Sequence, residues 1–205
     1  RPDEMLAHII NATLERNPNL PPEAVEDIIM GCGNPEGAQG HNVGRNAAVL
    51  SNLPITTGGT TINRYCSSGM QSISMAASQI MAGCYDTVIA GGAETISMMQ
   101  GKQNMDNFVN ERLAEKSPGI YYPMGMTAEV VAKRYNVSRE AQDEYAFESQ
   151  MRTAAAQQAG AYDDEIIPME TKMLLMNKET GDSKEIDYCV EKDAVSYTHL
   201  TLPTR

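Results

Sequence analysis

Cys66 sits in the stretch INRYCSSGMQS, Ile62 to Ser72, where a run of β-branched residues turns abruptly small and polar. A thiol between the end of a strand and the first turn of a helix lies near unpaired backbone N–H groups and the positive end of the helix dipole. Both favour the thiolate, the form that attacks electrophiles. Ser67, Ser68 and Gly69 make a turn that would bring the sulfur to the carboxyl edge of a parallel sheet, where open α/β sheets place their ligands. The logic parallels the nucleophile elbow, although G-x-S-x-G itself is absent. Free cysteine is also among the most buried residue types, so the residues alone leave two readings open: a nucleophile or a small core residue.

The other groups that could do chemistry are sparse. Cys32 and Cys84 read as packing residues, and Cys189 has no decisive context. There is no C-x-x-C, and the three histidines are His8 in an amphipathic helix, His41 after a glycine turn and His199 near the end, so no structural zinc site is expected. The glycine-rich run GCGNPEGAQG, Gly31 to Gly40, lacks G-x-x-x-x-G-K and contains Pro35, which removes a backbone donor. Turn chemistry accounts for it better than phosphate binding.

The elements that must position Cys66 follow from periodicity. Met5, Leu6, Ile9, Ile10 and Leu14 form one stripe of a helix over Glu4 to Asn17, and DIIMGC, Asp27 to Cys32, is a compact apolar strand. A helix over Asn42 to Leu53 leads to a second strand, Thr60 to Tyr65. Ser67 to Gly83 carries no charged side chain, which predicts a helix buried on most sides. Asp86 to Ile96 begins as a third, buried strand. Strand, helix, strand is a βαβ unit and implies a parallel sheet covered by helices. From Ser97 the composition changes, and a second region follows: a helix over Thr127 to Asn136 capped by Thr127, and a long one over Ser138 to Ala159 capped by Ser138. Strands at Glu165 to Lys172 and Glu185 to Val190 flank a polar excursion, Asn177 to Lys184.

The composition bounds the partners. With 41% hydrophobic and 21% charged residues the chain reads as globular. A net charge of -11 argues against nucleic acid or an anionic membrane as a broad partner. Lys102, Arg112, Lys116, Lys133 and Arg134 gather in mid-chain and read as a solvated face. No apolar run approaches the ~20 residues of a membrane span, and no signal segment opens the chain, so the expected compartment is cytoplasmic, with an organellar segment ahead of Arg1 left open.

INRYCSSGMQS, followed by AGGAETIS from Ala90 to Ser97, resembles the thiolase family, with its N-R-x-C-S-S-G-x-Q nucleophile setting and its A-G-G-x-E-x-x-S strand. PMGMTAEVVAKRY (Pro123 to Tyr135), VSREAQDEYAFESQ (Val137 to Gln150) and AGAYDDEIIPM (Ala159 to Met169) resemble the same family's loop domain in the same order. NPEGAQGHNVGR, Asn34 to Arg45, is most similar to the degradative 3-ketoacyl-CoA thiolases. The resemblance implies a thiolase-like α/β fold, a mixed, mostly parallel sheet with a buried helix and a partial helical loop domain. Residues 1–97 would be the N-terminal domain without its first strand, and 98–193 an incomplete loop domain. It implies thiolytic cleavage of a 3-ketoacyl-CoA to acetyl-CoA and a shortened acyl-CoA, or the reverse Claisen condensation, through an acyl-cysteine on Cys66. It further implies no metal or redox cofactor, acyl-CoA and CoA as substrates, and a homodimer or homotetramer. Met124 would be a substrate contact beside the acyl pocket, a position where methionine reads equally as core filler.

The chain departs from the family pattern in three places. The family's G-H-P-x-G histidine and C-x-G-G-G cysteine motifs do not occur in these 205 residues, so no catalytic role is carried onto His8, His41 or His199. The A-x-R-T-P segment of the family's first strand is missing ahead of Arg1. After EKDAV, SYTHLTLPTR (196–205) reads as foreign or frame-shifted sequence, within a non-native tail set at 194–205. Two rivals remain: a ketoacyl synthase, disfavoured by the N-R-x-C context, and a non-catalytic thiolase-like acyl-CoA binding protein, disfavoured by retention of Cys66.

Overall fold

The computed structural model describes residues 1–176 and 181–193. The chain divides into two compact units, Arg1–Met105 and Asp106–Arg205. The tail 194–205 lies outside the described residues, as does the tip of the polar excursion, 177–180.

In the first unit, α1 (Pro2–Arg16) buries Leu6, Ile10 and Leu14, spaced one helical turn apart. Its acidic first turn and basic last turn match the helix dipole. A 3-10 turn, Pro22–Ala24, leads into β1 (Asp27–Gly31), every residue of which is buried. Beyond Asp27 the strand is apolar, as suits the centre strand of a parallel sheet. α2 (Val43–Leu50) is capped by Asn42, whose side chain accepts from the Arg45 amide. β2 (Thr60–Ile62), α3 (Ser68–Met81) and β3 (Val88–Gly92) then complete the βαβ unit. The sheet order is β2-β1-β3, with Ile29 opposite Thr60 on one side and Ile28 opposite Ile89 on the other.

The period-two alternation of β1 assigns its two faces. Ile28, Met30 and Cys32 join Leu6, Ile10 and Leu14 of α1 and Val43, Ala47 and Ala48 of α2 in one core. Each fully buried Ile or Met there contributes roughly 1.5–3 kcal/mol. Ile29 and Gly31 take the opposite face, where α3 packs. The close approach of α3 rests on small residues: Ser68, Ser72 and Ala76 form its buried stripe.

That stripe corrects the expectation of a helix buried on most sides. Met70 and Met81 of α3 are 75% and 88% exposed, and Ile73 and Ile80 are exposed with them. A charge-free sequence marks faces that tolerate cover; among the described residues only the sheet supplies it. At the end of this unit α4 (Ile96–Met99) buries Met99 against Gly37, and the Asn104 amide donates to Glu36.

The second unit contains α5 (Glu111–Lys116), α6 (Met124–Tyr135), α7 (Arg139–Gln158), β4 (Met169–Met176) and β5 (Ser183–Val190). α6 starts at Met124 behind Pro123, not at Thr127, since a proline with φ -57 is already shaped for a helix start. It stops on Asn136 in the left-handed conformation, φ 52. α7 is capped by Ser138 as its sequence implies, the hydroxyl accepting from the Ala141 amide. β4 starts after Pro168, later than expected, and pairs antiparallel with β5, Met169 opposite Val190. The antiparallel strands thus form their own sheet rather than an edge of the parallel one. No described residue of this unit is buried. Among the described residues no helix is long and apolar enough to cross a membrane.

Candidate active site

Three loops leave the carboxyl ends of the parallel strands: 32–40 after β1, 63–67 after β2 and 93–95 after β3. Cys66 lies in the second, one residue ahead of Ser67, which caps α3. The thiol is exposed and does not fill the core of the first unit. Tyr65, immediately before it, has φ 47, a left-handed conformation that costs a non-glycine residue roughly 1–3 kcal/mol unless its surroundings fix it.

Those surroundings are visible. The Ser68 hydroxyl donates to the Tyr65 carbonyl at 2.5 Å, and the Ser68 amide donates to the same oxygen at 3.0 Å. The Ser68 oxygen in turn accepts from the Arg64 amide at 2.9 Å, while Asn63 Oδ1 accepts from the Tyr65 amide at 2.8 Å. Beneath this turn runs Gly31, where a Cβ would lie 2.6 Å from the Ser68 carbonyl oxygen and 2.6 Å from the Gly69 nitrogen. Further along α3, the fully buried Ser72 hydroxyl lies 2.6 Å from the Gly69 carbonyl and 2.8 Å from that of Gly91 in β3.

A second network joins the outer loops. Glu94 accepts from the Gly33 amide at 2.6 Å through Oε2 and from the Gln39 side-chain amide through Oε1. Gln39 is fully buried; it also donates to the Asn34 carbonyl at 2.7 Å and accepts from the Thr95 amide at 2.8 Å and hydroxyl at 2.9 Å. Glu94 thereby occupies a backbone donor of the glycine-rich loop, in keeping with the turn reading of that loop. The thiol of Cys32 is buried in the core 3.9 Å from Glu94. Burial pushes that thiol up from its ordinary value, and the carboxylate adds to the effect.

The remaining candidates are placed as follows. Met124 is the first residue of α6, in the second unit, and is 69% exposed. Cys84 is exposed, which corrects its reading as packing: it follows Gly83, φ 70, in the turn that ends α3. His8 is half-buried in α1, His41 is exposed at φ 61, and His199 lies outside the described residues. Among the described residues no His, Cys, Asp and Glu groups cluster as a metal site would require. Lys102, Arg112, Lys116, Lys133 and Arg134 are all exposed. Glu94, Gln39 and Tyr65 were given no role from the sequence; the signals were the Glu of the A-G-G-x-E-x-x-S match and a polar Gln among small residues of a turn, neither of which shows its partner.

The parallel sheet thus carries a cysteine turn at its carboxyl edge, and α3 starts against a glycine of the middle strand. The chain belongs to the thiolase family: residues 1–193 match the thiolase N-terminal domain. It is 48% identical to a 3-ketoacyl-CoA thiolase of Bacillus subtilis over 172 residues, 83% of this chain and 43% of that protein. It is 39% identical to 3-ketoacyl-CoA thiolase 2, peroxisomal, of Arabidopsis thaliana over 192 residues, 93% of this chain and 40% of the relative. The crystal structure of the Bacillus anthracis acetyl-CoA acetyltransferase matches with a TM-score of 0.70 at 30% identity, covering 92% of this chain and 48% of the other. The fold is accordingly thiolase-like α/β. The chain spans less than half the length of these relatives.

Proposed function

We propose that the protein to which this chain belongs is an acyltransferase that cleaves 3-ketoacyl-CoA with CoA, Cys66 carrying the acyl group. The observation that carries the reading is an exposed thiol one residue ahead of the α3 cap in a member of the thiolase family. The Cys66 thiolate attacks the C3 carbonyl carbon of the substrate. The tetrahedral oxyanion collapses by breaking the C2–C3 bond, whose electron pair becomes the acetyl-CoA enolate. Protonation of that enolate releases acetyl-CoA and leaves a thioester on Cys66. The thiolate of free CoA then attacks the thioester, and the Cys66 thiolate departs. No electron is gained or lost overall, so the sequence needs no redox partner.

Residues 1–97 serve in this reading as the N-terminal domain and 98–193 as part of a loop domain, with Met124 at the acyl chain. The assembled protein is a homodimer or homotetramer, and the expected compartment is the cytoplasm. The 205 residues by themselves do not turn over, because the G-H-P-x-G and C-x-G-G-G motifs that would activate Cys66 and move the second proton do not occur in them.

Acyl-CoA supplied without free CoA to a longer protein containing this segment should leave an acyl increment on the peptide of Cys66. An increment on Cys84 instead would overturn the assignment. Separately, acetoacetyl-CoA mixed with CoA and residues 1–205 should persist; its cleavage would refute the inactivity of the segment.

A further inference from the structure

We infer that Glu94 is a positioning residue for Cys66, acting through Gly33 and the Tyr65 carbonyl; the inference rests on Cys66 being the nucleophile. The Tyr65–Cys66 peptide is held from two sides. From the helix side, the hydroxyl and amide of Ser68 both donate to the Tyr65 carbonyl. From the other side lies Gly33: a Cβ there would be 3.1 Å from the Tyr65 oxygen, 3.2 Å from its carbonyl carbon and 2.9 Å from Glu94 Oε2. The peptide before the nucleophile therefore rests against a glycine whose own amide is held by the carboxylate, 2.6 Å away.

Gly33 could not hold this place alone, since a loop glycine is the freest residue of the chain. Glu94 fixes it by joining two loops. One oxygen takes the Gly33 amide, the other takes the buried Gln39 amide, and Gln39 in turn accepts from Thr95. Loops 32–40 and 93–95 become one hydrogen-bonded body anchored on a side chain with no solvent exposure. Tyr65, at φ 47, stays left-handed only while its carbonyl is confined. Release of Gly33 lets Tyr65 relax to negative φ and carries Cys66 away from its place at the start of α3.

The arrangement also specifies the chemistry required at position 94. Both carboxylate oxygens accept, and the donors facing them, the Gly33 and Gln39 amides and the Cys32 thiol, are fixed. A glutamine there offers one acceptor and turns an NH2 group toward a donor.

The test uses residues 1–205 and iodoacetamide, with exposed Cys84 of the same molecule as the reference thiol. The E94Q variant should show Cys66 alkylation slowed several-fold relative to Cys84, at an unchanged circular dichroism spectrum. Cys32, buried beside Glu94, should stay unmodified in E94Q, a protection that a general loss of stability would remove. An E94Q ratio equal to the parent's, or Cys32 modified together with Cys66, overturns the inference. If E94Q does not fold, G33A presses the same carbonyl from beneath and carries the same expectation and refutation. In the longer protein, an acyl increment on another cysteine would sink the proposed function; an increment reaching Cys66 of E94Q at the parent rate would sink only the role of Glu94.

Discussion

Gly31 of β1 and Ser68 of α3 are in backbone contact, with no room between them for a methyl group: a Cβ on Gly31 would stand 2.6 Å from the Ser68 carbonyl oxygen. The start of the helix that follows the cysteine is thus seated directly on the middle strand. Gly31→Ala must move backbone, not a side-chain tip, and overpacking of that kind costs roughly 1–3 kcal/mol or more. Urea denaturation should show the midpoint falling accordingly, and an unmoved midpoint would mean that α3 tolerates displacement at its first turn.

Ser72 links the same helix to β3, its hydroxyl lying within 2.8 Å of the Gly91 carbonyl with no solvent exposure. Ser72→Ala removes that donor from a half-buried carbonyl, and the expected loss is about 1 kcal/mol. Equal stability of the two proteins would assign the bridge no energetic role.

Asp27, at the opposite end of β1, is buried, and its Oδ1 has no hydrogen-bond partner. Burial holds its carboxyl above the ordinary carboxylate range. The folded pKa exceeds the unfolded one, so this group favours folding most when protonated, below its unfolded value near ~3.9. That contribution is lost as pH rises through the raised folded value. Asp27→Asn should therefore be more stable than the parent at pH 7, by about 1 kcal/mol, with the gap closing near pH 4. A gap independent of pH would show that ionisation is not its origin.

The cysteines should separate by burial. Cys66 and Cys84 are exposed, whereas Cys32 is buried with its thiol pushed up. Alkylation of the folded chain should modify Cys66 and Cys84 and spare Cys32 until urea is added. Early modification of Cys32 would mean that the core around β1 opens locally.

The two sides of α3 should answer differently to charge. Ile73→Lys, on the exposed side, is expected to change stability by no more than about 0.5 kcal/mol. Ala76→Lys, against the sheet, buries an unpaired ammonium and should cost at least about 3 kcal/mol. Comparable midpoints for the two variants would contradict the packing of α3.

Much of this was legible in residue order. DIIMGC announced a buried centre strand, Ser138 announced the start of α7, and INRYCSSGMQS announced strand, turn and helix. These features depend on neighbours in sequence. The Glu94–Gln39 pair did not show because its members lie on loops brought together only by sheet order. Tyr65 gave no sign of its left-handed backbone, which tertiary contacts impose against its preference. The absence of charge in Ser67 to Gly83 was over-read: it records which faces of a helix accept a neighbour, not how many neighbours the chain supplies.

The second unit carries three helices and a hairpin without a single buried residue among those described. Such elements have almost no apolar burial to lose on opening, so their amide protons should exchange through local fraying. Those of β1 must wait for global unfolding. The polypeptide consequently keeps two clocks, a slow one behind Gly31 and a fast one beyond Asp106, and a protease added to the folded chain would read the fast one first.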